Sequence, residues 1–274
     1  MKSTIRPFVF ASFVAFLAFN LAGCNRSENI ATDQAGEEVV TQFAEKSVDD
    51  VVDSIVLRSD SSEYADCAEI MDSGGSSFPR TIIIDFGEGC TDFQGRTRTG
   101  VIEIVMSDAW ETDGAERTLT FDGYSVSPIW SDLATGLGGS CTYVRLVSNG
   151  YGQPEFERTA DLTITRGNLT IEHNFYGVRT WISGYENPDA SESIFGLTGS
   201  GSAVRNGGVS VNRDILDTLM YSQSCNQVTQ GVVAVTRPLG SSTIDFGDGN
   251  CDDEATVTTA NGNVFTLDLH RFPG

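Results

Sequence analysis

One pattern occurs twice in this chain and restricts its fold more than any other. It runs cysteine, a pair of β-like runs joined by a turn, Asp-Phe-Gly-acid-Gly, cysteine. The first copy starts at Cys67, turns at Ser73–Ser77 and continues through Thr81-Ile82-Ile83-Ile84-Asp85-Phe86-Gly87-Glu88-Gly89 to Cys90. The second starts at Cys225, turns at Pro238–Ser241 and continues through Thr243-Ile244-Asp245-Phe246-Gly247-Asp248-Gly249-Asn250 to Cys251. In a hairpin the start of the first strand lies beside the end of the second. Spacing alone leaves many cysteine pairings open. The repeated hairpin selects Cys67–Cys90 and Cys225–Cys251, since each bridge would close the same end of its own hairpin. A loop of roughly 25 residues makes each bridge worth about 3 kcal/mol in the chain-entropy account. Cys141 is then the odd thiol, expected to be buried as a small apolar side chain.

The rest of the chain after Ser59 has the same texture. Short alternating runs rich in Thr, Val, Ile and aromatics are punctuated by Gly, Asn and Asp. The clearest are Val101–Met106, Arg117–Phe121, Thr142–Val147, Arg158–Thr165, Leu169–His173, Val178–Ile182, Val232–Arg237 and Val264–Leu269, with Ile215–Met220 read as a further strand. Strands at this spacing without helices between them predict a mainly β fold, an antiparallel β-sandwich or barrel-like sheet. One helix precedes it. Val40, Phe43, Val48, Val51 and Ile55 recur at helical spacing, with Glu37, Glu38, Glu45, Asp49, Asp50 and Asp53 on other faces. The apolar stripe must pack on the β domain. The expected organisation is a signal segment over 1–23, a polar tether over 24–35, a helix over 36–58, and a single β-rich domain over 59–274. Its internal repeat covers 67–106 and 225–269. Each repeat is too small to bury a core alone.

The first two dozen residues give the location. Lys2 and Arg6 form a basic start, Phe8–Phe19 is uncharged and apolar, and Leu21-Ala22-Gly23 leads into Cys24. A secretory signal has this layout, and the end of it resembles the lipobox of bacterial lipoproteins. That resemblance implies cleavage before Cys24, with diacylglyceryl on its sulfur and an acyl chain, such as palmitate, on the new amino group. The apolar stretch is short for a spanning helix. Asn25 after the cysteine favours sorting to the outer membrane by the rule of other Gram-negative lineages. Cleavage would remove Lys2 and Arg6 but no acid, taking the net charge from −21 to −23. Such a chain is a poor nucleic-acid binder, which needs a basic face. Anionic headgroups also repel it, so the membrane contact falls to the lipid.

Further segments carry a second resemblance. These are Phe78-Pro79-Arg80-Thr81 with the strand after it, Gly95-Arg96-Thr97-Arg98-Thr99-Gly100, Arg179-Thr180-Trp181-Ile182-Ser183-Gly184-Tyr185, Thr198-Gly199-Ser200-Gly201-Ser202, and Ile244 to Thr258. Together with the two glycine–cysteine signatures they resemble a family of uncharacterised lipoproteins from Bacteroidota-type Gram-negative bacteria, over most of residues 67–269. The resemblance implies a lipid-anchored envelope location and a fold. It transfers no catalytic residue, and around Cys141 the chain departs from the pattern.

Several residues are candidates for a site. Asp85, Glu88 and Asp92 crowd one turn; Asp245, Asp248, Asn250, Asp252 and Asp253 crowd the other, and calcium would draw on Asp245, Asp248 and Asp252. Neither spacing is that of an EF-hand, and Asx-turn chemistry accounts for the same residues. Glycan stacking would draw on Trp110, Trp130 and Tyr185, among aromatics that include Trp181, Tyr124, Tyr151 and Tyr176; Trp181 alternates with Ile182 and reads as core. The two histidines, His173 and His270, have no metal-ligand spacing, and no nucleophile elbow or phosphate loop appears. The expected role is therefore a non-catalytic binding or structural module of the cell envelope, taking a glycan or an envelope protein. The alternative is a hydrolase acting on an extracellular glycan or other polymer, since a carboxylate pair is always available in so acidic a chain.

Overall fold

The computed structural model describes residues 18–57, 67–75, 77–92, 95–128, 131–185, 192–238 and 240–270, with side chains from Ala35 onward except that of Leu57. It consists of one long helix and one antiparallel sheet. The helix, α1, covers Ala18–Val52 and ends in a single π-helical turn, Asp53–Leu57. The strands are β1 (Glu69–Asp72), β2 (Arg80–Asp85), β3 (Cys90–Thr91), β4 (Thr97–Met106), β5 (Glu116–Ser127), β6 (Thr135–Leu146) and β7 (Glu155–Arg166). They continue as β8 (Leu169–Ser183), β9 (Ile194–Arg205), β10 (Ser210–Ser222), β11 (Gln227–Arg237), β12 (Gly240–Asp248), β13 (Glu254–Thr259) and β14 (Val264–Asp268). Each pairs with its neighbours in sequence, in the order β1-β2-β4 through to β14, with β3 attached to β4 alone. The mainly β, antiparallel reading with one N-terminal helix holds, in the form of one continuous curled sheet. Its two ends, β1 and β14, are only four and five residues long, which limits the edge left open to pairing.

The sheet curls around the helix. From Ala35 to Val56 every helix residue is buried except Phe43 and Asp49, which are half-buried. The helix is therefore a core element on all its faces and is not docked by one stripe. Phe43, expected in that stripe, is among its less covered residues. The α-helical backbone also runs through residues 24–35, the expected polar tether; that stretch contains no proline. The concave side of the sheet is the apolar phase of each strand. On β7 it carries Phe156, Arg158, Ala160, Leu162, Ile164 and Arg166, all buried, while Thr159, Asp161, Thr163 and Thr165 point outward and are exposed. Curvature is helped by bulges. Gly100, at φ +74°, sits at a register shift between β4 and β5, where a Cβ would lie 2.3 Å from the Gly123 carbonyl oxygen.

A membrane-spanning barrel has the opposite polarity, apolar residues outward. Here the outward positions of β7 and β8 include Glu157, Asp161, Glu172 and Asn174. Among the described residues no helix is long and apolar enough to cross a membrane.

Both repeat hairpins form as expected. β1 pairs with β2 and β11 with β12. Cys67–Cys90 and Cys225–Cys251 are disulfides, with Cα atoms 5.0 and 5.4 Å apart, and Cys141 is a buried free thiol. The expected strands Leu169–His173 and Val178–Ile182 are one strand, β8. Gly177 sits between them at an inward position, where a Cβ would meet the Thr198 carbonyl oxygen at 2.0 Å. Strand β9 was not expected. Its Gly-Leu-Thr-Gly-Ser-Gly-Ser run looks like a loop by composition, and its pairing to β8 and β10 overrides that preference.

Candidate functional site

Alternation places an arginine in the apolar phase of several strands, and the acidic residues of α1 meet them. Glu38 accepts hydrogen bonds from Arg213 Nε at 2.7 and 2.8 Å, and Glu37 accepts from Arg205 and Arg237. Arg158 donates to Glu45 Oε1 at 2.8 Å, and His173 Nε2 lies 3.1 Å from the same oxygen. Arg179 grips Asp53 at 2.5 and 3.0 Å and reaches Asp49 at 3.3 Å, while the Tyr143 hydroxyl donates to Asp49. Asp50 is held by Lys46 at 2.8 Å and Arg96 at 2.6 Å. Burial alone would raise the Glu45 carboxyl; Arg158 and His173 outweigh it and hold the group well below the usual carboxylate range. Asp50 behaves alike, with Lys46 and Arg96 overcoming burial. Asp53 goes the other way: burial raises it despite Arg179. This network contains the ingredients of acid–base chemistry. The helix fills the trough that would have to admit a substrate.

The expected site residues are distributed as follows. Trp110 and Tyr185 are brought together, but as half-buried flanks of the core residue Trp181, with ring centroids 6.3 and 6.2 Å away. Trp130 lies outside the described residues, as does the side chain of Cys24, whose backbone is helical. Asp245, Asp248 and Asp252 are exposed. Asp245 Oδ1 accepts from Gly247 N at 2.9 Å, and Asp85 Oδ1 from Gly87 N at 2.8 Å, the Asx geometry. Asp92 is buried and paired with Arg96 and Arg98. Asn250 Nδ2 donates to Asp248 at 2.7 Å.

An accessible concavity lies on the outward face of β7–β10. Two polar rungs cross it in register. Thr159, Tyr176, Ser200 and Asp214 form one; Asp161, Asn174, Ser202 and Asn212 form the next. The short outward side chains Ser200 and Ser202 of β9 make the depression, and Gly201 between them, in the inward phase opposite Phe175, lets β9 approach β8 closely. At Gly201 the backbone of β8 is so close that a Cβ would lie 2.2 Å from the Asn174 carbonyl oxygen. The open groove measures about 510 Å³, and Tyr176 stands at its side, 57% exposed, its hydroxyl donating to Glu157 Oε2 at 2.8 Å. That bond fixes the ring and, with the nearby carboxylate, raises the phenol above its ordinary value. Tyr176 was one aromatic among several in the sequence. Its outward phase opposite a Gly-Ser strand is the signal that separates it from the others. The inward arginines were also legible in principle, because Arg158 and Arg166 share the phase of Phe156, Leu162 and Ile164.

No family model, no curated protein and no solved structure matches the chain.

Proposed function

We propose that the protein is a non-catalytic binding module of the cell envelope, lipid-anchored through Cys24 to the outer membrane, and that it takes its ligand on the β7–β10 outer face. The observation that carries this reading is the groove itself, a fixed aromatic ring beside rungs of hydroxyl, amide and carboxylate groups. Sugars are bound by that combination of a stacking face and short polar side chains. Among the described residues, α1 fills the trough, and the pocket beside it, lined by Phe43, Tyr221, Phe246 and Leu269 among others, holds only about 40 Å³. Asp161, Asp214 and Glu157 disfavour anionic polymers and favour a neutral glycan. A panel of neutral and acidic glycans tested against the delipidated protein examines the reading. Binding to neutral glycans, reduced at least tenfold by Tyr176→Ala, supports it. Binding unaffected by that change places the ligand elsewhere, and release of shortened products from a bound polymer favours the hydrolase alternative. For the anchor, Cys24→Ala should abolish lipid labelling and cleavage of the signal segment.

A further inference from the structure

Arg117 is the one buried arginine of the trough with no hydrogen-bond partner at all among the described residues. Its Nε, Nη1 and Nη2 are each buried and unbonded, although the side chain is only 4% exposed. It projects from β5 between two rings, with its guanidinium carbon 4.6 Å from the Tyr143 centroid and 4.8 Å from that of Phe156. Arg145, one rung away on β6, faces the same Phe156 ring at 5.3 Å. Arg145 bonds only neutral groups, the carbonyls of Leu146 and Glu155 and the Ser148 hydroxyl, and its Nε is unbonded. The two therefore bring two buried positive charges with no carboxylate in ion-pair contact. The helix acids that act on Arg117, the half-buried Asp49 and the buried Asp53, are engaged by Arg179. Both arginines line a partly open cavity of about 10 Å³, walled also by Trp110, Met106, Tyr143 and Phe156 and by the exposed carboxylates Asp108 and Glu116. That is room for one water-sized species. A water could accept from the free donors but would bring no counter-charge, and burial holds the Arg117 guanidinium below its ordinary value although Asp53 and Asp49 act against that.

We propose that this cavity is a binding site for a single small monovalent anion, chloride or bromide, held by Arg117 and Arg145. A halide is larger than a water molecule, so binding it requires the long side chains of Arg117 and Arg145 to draw back. Polyatomic anions are too large. The site is independent of the outer groove.

Thermal melts of the whole mature protein in sodium chloride and in sodium gluconate, at equal sodium, test the proposal. Equal sodium matters because cations screen the strongly acidic surface in both salts. Chloride should raise Tm by about 5 °C over gluconate at a concentration well above the dissociation constant. Arg117→Met should remove that difference. Crystals grown in bromide should show an anomalous peak within hydrogen-bonding distance of Arg117 in the unaltered protein, a result that does not depend on the variant folding. Equal melting in the two salts, or a bromide-grown crystal with no peak there, overturns the proposal and leaves a water site.

Discussion

Arg158 on β7 reaches 113 residues back along the chain to bond Glu45 on α1 at 2.8 Å, with both side chains 2% exposed. This pair shows how the helix is held. A strand residue that ought to be apolar is a cation, and its counter-charge comes from the helix inside the sheet. Such a pair adds little over an apolar replacement of both partners, but removing one partner strands the other. Glu45→Gln should thus cost about 3–5 kcal/mol in urea unfolding. Asp72→Asn, which breaks the exposed pair with Arg80 at 2.5 Å, should cost less than about 1 kcal/mol. Similar losses from both would mean that the interior is wetter than the packing implies.

The same network sets the response to acid. Glu45 and Asp50 have folded carboxyls depressed below their unfolded values, so their stabilisation is complete above the unfolded pKa of about 4 and is lost as pH falls toward the folded one. Asp53 and Glu37 are raised by burial and oppose this, gaining stability as they take up protons. The urea midpoint should hold steady from neutrality to about pH 5 and drop below about pH 4. In Glu45→Gln the drop should be shallower. A drop of unchanged steepness would remove Glu45 from the list of acid-sensitive groups.

The second disulfide closes a segment of 26 residues around the β11–β12 hairpin. Replacing Cys225 and Cys251 by serine should lower stability by about 3 kcal/mol. A non-reduced digest should give the two hairpin bridges, and Cys141, whose thiol burial pushes up, should alkylate only after unfolding. Any bridge that uses Cys141 contradicts the pairing.

What could be read from the sequence follows from which forces are local. Both hairpins, their bridges and the Asp85 and Asp245 turns are local, and the repeat displays them. Most strands are visible because Phe156, Leu162 and Ile164 or Ile82 and Ile84 alternate with polar neighbours. Strand β9 is hidden because its glycines answer to the close approach of β8, a tertiary demand. The helix is half visible. Its apolar stripe gives its existence, but nothing local says that Glu45 and Asp50 are buried, since that depends on Arg158 and Arg96 arriving from distant strands. The outer groove depends on the register of four strands and is not readable from any one of them.

Helix α1 is the core around which the sheet curls. Native-state hydrogen exchange of the backbone amides over 37–52 tests this arrangement most directly, because it reports the free energy needed to open that segment. The buried helix should exchange only through global unfolding, with the same protection as the central strands β7 and β8 and the same loss in Glu45→Gln. Exchange of the helix amides well ahead of those strands would contradict it and return α1 to the role of a peripheral, one-sided helix.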